Sequence, residues 1–244
     1  MKLGEFVKKE YQTLKQSSNR TFTFALLYAT MVLFVYCYFG TYSFFENTFT
    51  SVSEIGYWKI IYHNFMAFVL FFCFGVVFSK LFAKTKFSDL GLKAGNKKLG
   101  LIICLIATPI ALLCGLSCVL DAGMCGMYPL VDFSNLSALK ILLYFASYLC
   151  YYIGWEYLFR GLLFFGTKTK IDVLPAILVS TLISALIHTS IAGFGKPMIE
   201  TLSAIPAGLI FAYIDYKTDS IFTSLYIHTM IGFSTDMFIY LLAK

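Results

Sequence analysis

The chain has 244 residues, of which 59% are hydrophobic and only 13% charged, with a mean hydropathy of +0.78. A soluble domain carries about 25% charged residues, so this composition excludes a water-exposed globular protein and leaves a polytopic membrane protein. The net charge of +6 does not point to nucleic acid, because the lysines sit in connections between long apolar runs.

Residues 1–20 are polar and carry Lys2, Lys8, Lys9, Lys15 and Arg20. The apolar run that follows has span length and no small-residue cleavage site, so it reads as a retained first helix and not as a signal peptide. The apolar runs are continuous where a membrane barrel would alternate. They predict seven spans, at roughly 22–41, 57–79, 100–120, 139–166, 173–192, 198–216 and 220–243. Five Lys/Arg precede the first span, none lie in 42–56, six lie in 80–99 and none in 121–138. Lys168 and Lys170, Lys196, and Lys217 occupy the last three connections. This alternation predicts an all-α bundle with a cytoplasmic N-terminus and an external C-terminus. Residues 1–138 read as an N-terminal membrane region of three helices with a cytoplasmic loop at 80–99, and 139–240 as a four-helix core.

Within the loop 80–99, Phe87-Ser88-Asp89-Leu90-Gly91-Leu92 is an amphipathic patch expected at the membrane interface. Segment 121–138 holds Gly123, Gly126, Tyr128-Pro129 and Asp132, the residues of a turn-rich loop. The seven cysteines lie mostly inside apolar runs, where they act as small hydrophobes. Cys114 and Cys118 share a helix face, but no His joins them, so neither a metal site nor a disulfide framework is expected.

Polar residues inside spans are costly and mark function or a satisfied interior contact. Glu156 and Arg160 stand four apart in Trp155-Glu156-Tyr157-Leu158-Phe159-Arg160-Gly161, hence on one helix face with Cβ atoms roughly 6 Å apart. His188 lies late in the fifth span and His228 in the seventh. A lone intramembrane His is most often a packing residue, and His63, with no acid near it in sequence, reads as structural or interfacial. A carboxylate with two imidazoles, however, is able to activate water and stabilise an oxyanion. The same trio is also able to bind a metal, but the metalloprotease spacing His-Glu-x-x-His is absent. No metal and no cofactor is expected.

Glu156-x-x-x-Arg160-Gly161, His188 and His228, in that order, resemble the CPBP (Abi) family of intramembrane proteins. That family includes type II CAAX prenyl endopeptidases, bacteriocin-processing and self-immunity proteins and lysostaphin-resistance-type proteins. The resemblance covers about residues 139–240, and more weakly Tyr128-Pro129. It implies a helical bundle with an internal site in which a Glu activates water, one His assists, and a second His and an Asn form the oxyanion hole. Carried over, Glu156 matches the second Glu of the family's pair, Arg160 its Arg, His188 the second-motif His and His228 the last-motif His.

Trp155 stands where the first Glu belongs, Gly232 where the Asn belongs, and Ser184 where a Phe is usual. A subgroup is similar to this chain in reading Trp-Glu-x-x-Phe-Arg-Gly and in a Lys-Pro-x-x-Glu stretch, here Lys196-Pro197-Met198-Ile199-Glu200. Such members carry a His at the place of Gly193. Glu200 is thus a candidate substitute carboxylate, with helix N-terminal capping as the alternative. Asp236, on roughly the face of His228, is a further candidate partner, with a satisfied interior Asp as the favoured alternative.

At 1.5 Å per residue, Glu156 and His228 lie roughly 12–15 Å from the cytoplasmic boundary, His188 roughly 22 Å from it, and Glu200 near the outer face. One central site and two separate polar clusters both remain open. So do an intramembrane glutamic endopeptidase using Glu156, Arg160, His188, His228 and Glu200, and a catalytically impaired scaffold or bacteriocin-immunity-type protein on the same fold. A small-solute transporter is the third reading, but the chain shows no internal symmetry. The implied partners are a peptide or membrane-protein substrate and the lipid bilayer, without nucleic acid. Lysine-rich loops on a short chain without a targeting segment fit a bacterial cytoplasmic membrane.

Overall fold

The computed structural model describes residues 3–16, 20–189 and 195–243. Gly193 lies outside the described residues. Every regular element among them is helical. In chain order they are α1 (Leu3–Gln16), α2 (Arg20–Phe39), α3 (Tyr42–Thr48), α4 (Ile55–Ala83), α5 (Lys97–Leu120), α6 (Ala122–Met127), α7 (Ala138–Ile171), α8 (Val173–Ile187), α9 (Met198–Thr218) and α10 (Phe222–Leu242).

Six of these helices are long and apolar enough to cross a membrane, and α8 is a shorter apolar helix of 15 residues. All seven expected runs are therefore helices. The outward faces confirm the solvent they are built for. Leu101, Leu105, Ile106 and Leu113 of α5 are exposed together, an apolar surface that water would not tolerate and lipid covers. The chain is an integral membrane protein. Caps fix several starts: Asn96 accepts the Leu99 N–H at 3.1 Å, and Asp121 accepts the Met124 N–H at 2.8 Å.

The connections gather by charge. Asn96 N–H donates to the Thr218 carbonyl at 2.7 Å, Ile221 N–H donates to the Gly91 carbonyl at 3.1 Å, and Lys93 and Lys168 both reach Asp219. Those lysine-bearing segments meet at one end of the bundle. At the other end Lys140 pairs with Glu54 at 2.6 Å, and Tyr128 meets Glu200.

Three expectations change. The tail carries a regular helix, α1, where only a polar stretch was anticipated. The patch at 87–92 is only partly turned outward, because Leu90 is fully buried in the core with Phe159 and Leu162 while Phe87 is 41% exposed. The fifth run ends as a helix at Ile187, well short of 192, so His188 caps that helix and is not within it.

Helix α7 departs from α geometry where the polar motif sits. From Tyr157 to Phe165 it widens to the i→i+5 turn of a π-helix, a distortion frequent at functional sites and also present in α4 at Phe68–Cys73 and Ser79–Ala83. Just before it, Gly154 lets α7 approach α4 closely, since a Cβ there would stand 2.6 Å from the Ala67 carbonyl oxygen.

Candidate active site

Three helices build the polar centre. Glu156 on α7 is fully buried, and its carboxylate has several partners. His228 Nδ1–H donates to one oxygen at 2.6 Å. The other oxygen accepts from the Ser224 hydroxyl at 2.9 Å and lies 3.4 Å from Arg160 Nε. Ser224 also reaches Asp215 of α9, with Oγ 2.7 Å from one carboxylate oxygen and its backbone N–H 3.2 Å from the other. Glu156, Arg160, Asp215, Ser224 and His228 are thus one network tying α7, α9 and α10 together.

Arg160 is 2% exposed, and its guanidinium lies 5.6 Å over the Phe211 ring. Among the described residues its Nε and Nη1 find no hydrogen-bond acceptor, so the Glu156 carboxylate is their main electrostatic compensation.

A cavity of about 350 Å³ lies beside this network. Arg160, His188, Glu200 and His228 all line it, with Tyr152 and Trp155 forming part of its wall. His188, at the C-terminal cap of α8, lines the same cavity as His228. The His188 carbonyl accepts from the Thr201 hydroxyl at 3.1 Å, which ties the end of α8 to the first turn of α9. The His188 ring is held by the Ser184 carbonyl at 2.8 Å from Nδ1 and by the edge of Trp155 at 5.3 Å between centroids. Trp155 therefore packs directly against the His188 ring.

Glu156 is not among the cavity-lining residues, whereas Glu200 is. The Glu200 side chain is 22% exposed and sits 3.2 Å from Lys196 Nζ. Tyr128 donates its hydroxyl to the Glu200 carboxylate, whose two oxygens lie at 2.9 and 3.1 Å, and in turn accepts from Lys196. Burial, reinforced by the Glu200 charge, pushes the Tyr128 hydroxyl well above the usual tyrosine range, so it remains a donor. Glu200 also occupies the first turn of α9, where an acid suits the helix dipole, so the capping position and the cavity position coincide.

The cavity mouth lies between α5 and α9. Its lining residues Cys114, Ser117 and Ser203 are exposed, and the two helices scarcely touch there.

Asp236 does not partner His228. Its carboxylate accepts from the Tyr144 hydroxyl, in a separate buried contact between α7 and α10. His63 is a satisfied packing residue, with Nδ1 2.6 Å from the Gly40 carbonyl and Nε2 3.0 Å from the Tyr36 hydroxyl.

Sequence reasoning missed Asp215, Ser224, Tyr152 and the pairing of Tyr128 with Glu200. Asp215 carried a usable signal, an acid inside an apolar span. Ser224 carried a weaker one, lying one turn before His228. Tyr152 is one aromatic among many and carried none.

Residues 137–234 match the family model described as Type II CAAX prenyl endopeptidase Rce1-like. No curated protein and no solved structure matches the chain.

Proposed function

We propose that this chain, whose residues 137–234 carry the intramembrane CAAX-type protease fold of the CPBP (Abi) family, is a glutamic-type endopeptidase acting on a peptide or membrane-protein substrate. The observation that carries the proposal is the convergence of Glu200, His188 and His228 on one cavity beside the buried Glu156–Arg160 pair. Glu200 is the general base, because it faces the cavity while Glu156 is enclosed by its partners. His188 helps hold the water. Glu156, with Arg160 and Ser224, orients His228.

In this mechanism water forms a C–O bond to the scissile carbonyl carbon as its proton passes to Glu200. The carbonyl π pair moves onto oxygen, giving a tetrahedral oxyanion beside His228. Collapse restores the C=O bond, breaks the C–N bond and returns the Glu200 proton to the departing amine. The mouth between α5 and α9 opens toward lipid-facing residues, which suits a substrate that arrives from within the bilayer. The expected setting is a bacterial cytoplasmic membrane.

The test is cleavage of a membrane-peptide library by purified protein, with new termini read by mass spectrometry. Wild type cuts, and well-folded Glu200→Gln and His228→Ala variants do not. A wild type that cuts nothing, together with a Glu156→Gln variant that merely melts earlier, would overturn the proposal in favour of a non-catalytic scaffold.

A further inference from the structure

Gly232 stands one helical turn after His228 on α10, so the two positions share a face, with Cβ sites roughly 6 Å apart. Both line the cavity. A side chain at 232 has no room. A Cβ built there would lie 1.8 Å from the Tyr152 hydroxyl oxygen and 2.7 Å from the ring carbon that bears it. The phenol of Tyr152, reaching across from α7, fills the space that a residue at 232 would occupy. The ring is held from two sides, by Tyr148 stacked at 4.8 Å and by the His228 imidazole at 4.6 Å between centroids.

From this geometry we infer that Tyr152 is a catalytic residue, its O–H donating to the carbonyl oxygen of the substrate as that oxygen becomes negative. The inference rests on the hydrolytic reading above and deepens it. His228 alone leaves a gap in that mechanism. Its Nδ1–H is committed to Glu156. A neutral imidazole with its proton there offers only a lone pair at Nε2, and becomes a second donor only on gaining another proton. A phenol donates whatever the state of His228. Tyr hydroxyls serve as oxyanion donors elsewhere, and loss of one such donor costs about 100- to 1,000-fold in kcat. Tyr152 brings the donor to the face of α10 that presents His228, and Gly232 is the complementary vacancy that lets it in.

The experiment compares wild type, Tyr152→Phe, Tyr152→Gly and the swap Tyr152→Gly/Gly232→Asn on the best peptide from the library screen. Each variant is also titrated with a peptidyl phosphinate of that sequence, which mimics the tetrahedral state. Tyr152→Phe keeps the ring and is expected to retain the melting temperature and KM. Its kcat and phosphinate affinity should fall in parallel, by about 100- to 1,000-fold. The swap, which restores a donor from position 232, should exceed Tyr152→Gly by at least about tenfold. Should Tyr152→Phe prove too unstable to assay, the swap against Tyr152→Gly decides alone. A Tyr152→Phe kcat within twofold of wild type, or a swap no better than Tyr152→Gly, refutes the inference and leaves the hydrolytic reading standing. A wild type that cuts no peptide refutes both.

Discussion

Glu156→Gln isolates the buried charge pair. In the wild type the carboxylate stands 3.4 Å from Arg160 Nε, with the two side chains 0% and 2% exposed. At that separation and an effective dielectric of about 20, the attraction is about 5 kcal/mol. Glutamine keeps the shape and loses the charge, leaving Arg160 buried with Nε and Nη1 short of acceptors. Breaking such a pair from one side costs about 3–5 kcal/mol. For a chain of this size that lowers the melting temperature by roughly 6–20 °C. Removing both charges behaves differently, because an apolar replacement of a buried pair is often neutral. The variant Glu156→Gln/Arg160→Met should therefore recover most of the stability that Glu156→Gln loses. Thermal unfolding in one detergent, with all three variants beside wild type, reads the effect. If the double variant melts lower than Glu156→Gln by the full cost of Arg160→Met alone, the two losses are additive. The orphaned-charge argument is then wrong.

Tyr128→Phe deletes the hydroxyl that links Glu200 and Lys196. It should slow cleavage by about 10- to 100-fold, measured as kcat on the library peptide, with little change in melting temperature, since the general base loses its orientation and not its charge. Gly154→Ala drives a methyl to 2.6 Å from the Ala67 carbonyl oxygen and should destabilise by about 1–3 kcal/mol, seen as an earlier melt. Ser224→Ala removes a hydroxyl shared by two buried acids and should cost about 1–3 kcal/mol. Reporter fusions at residue 94 and at residue 130 should report the cytoplasm and the outside respectively, as the lysine alternation requires, and the reverse pattern would invert the topology.

The bundle was legible because span length and apolarity are one-dimensional properties, and each of the seven runs folds as a helix near its predicted place. Glu156 and Arg160 were legible as a pair because four residues along a helix fix their proximity. What failed to show is instructive in the same terms. The predicted fifth span runs to 192 across His188, Thr189 and Ser190, but the helix stops at Ile187, where His188 turns its ring back to the Ser184 carbonyl. The polar step at His188-Thr189-Ser190 marked that stop, and a span drawn to membrane length ran over it. The patch at 87–92 has the pattern of an interfacial element, and only the packing shows that Leu90 is buried against α7 while Phe87 stays exposed.

Tyr152 and Gly232 mark the limit most clearly. Gly232 looks like a loss when position 232 is judged by its own side chain. Eighty residues separate it from Tyr152, and nothing in either segment states the rotation of α7 against α10 that brings a phenol oxygen to the glycine. A site made by helix packing has no obligation to keep a function on the helix where it began, only to deliver the right atom to the right point in the cavity. The physically meaningful question for this chain is therefore which donors and acceptors reach the cavity wall. Glu200, Tyr152, His188 and His228 all reach it, and Trp155 supports His188 from the place where an acid was expected.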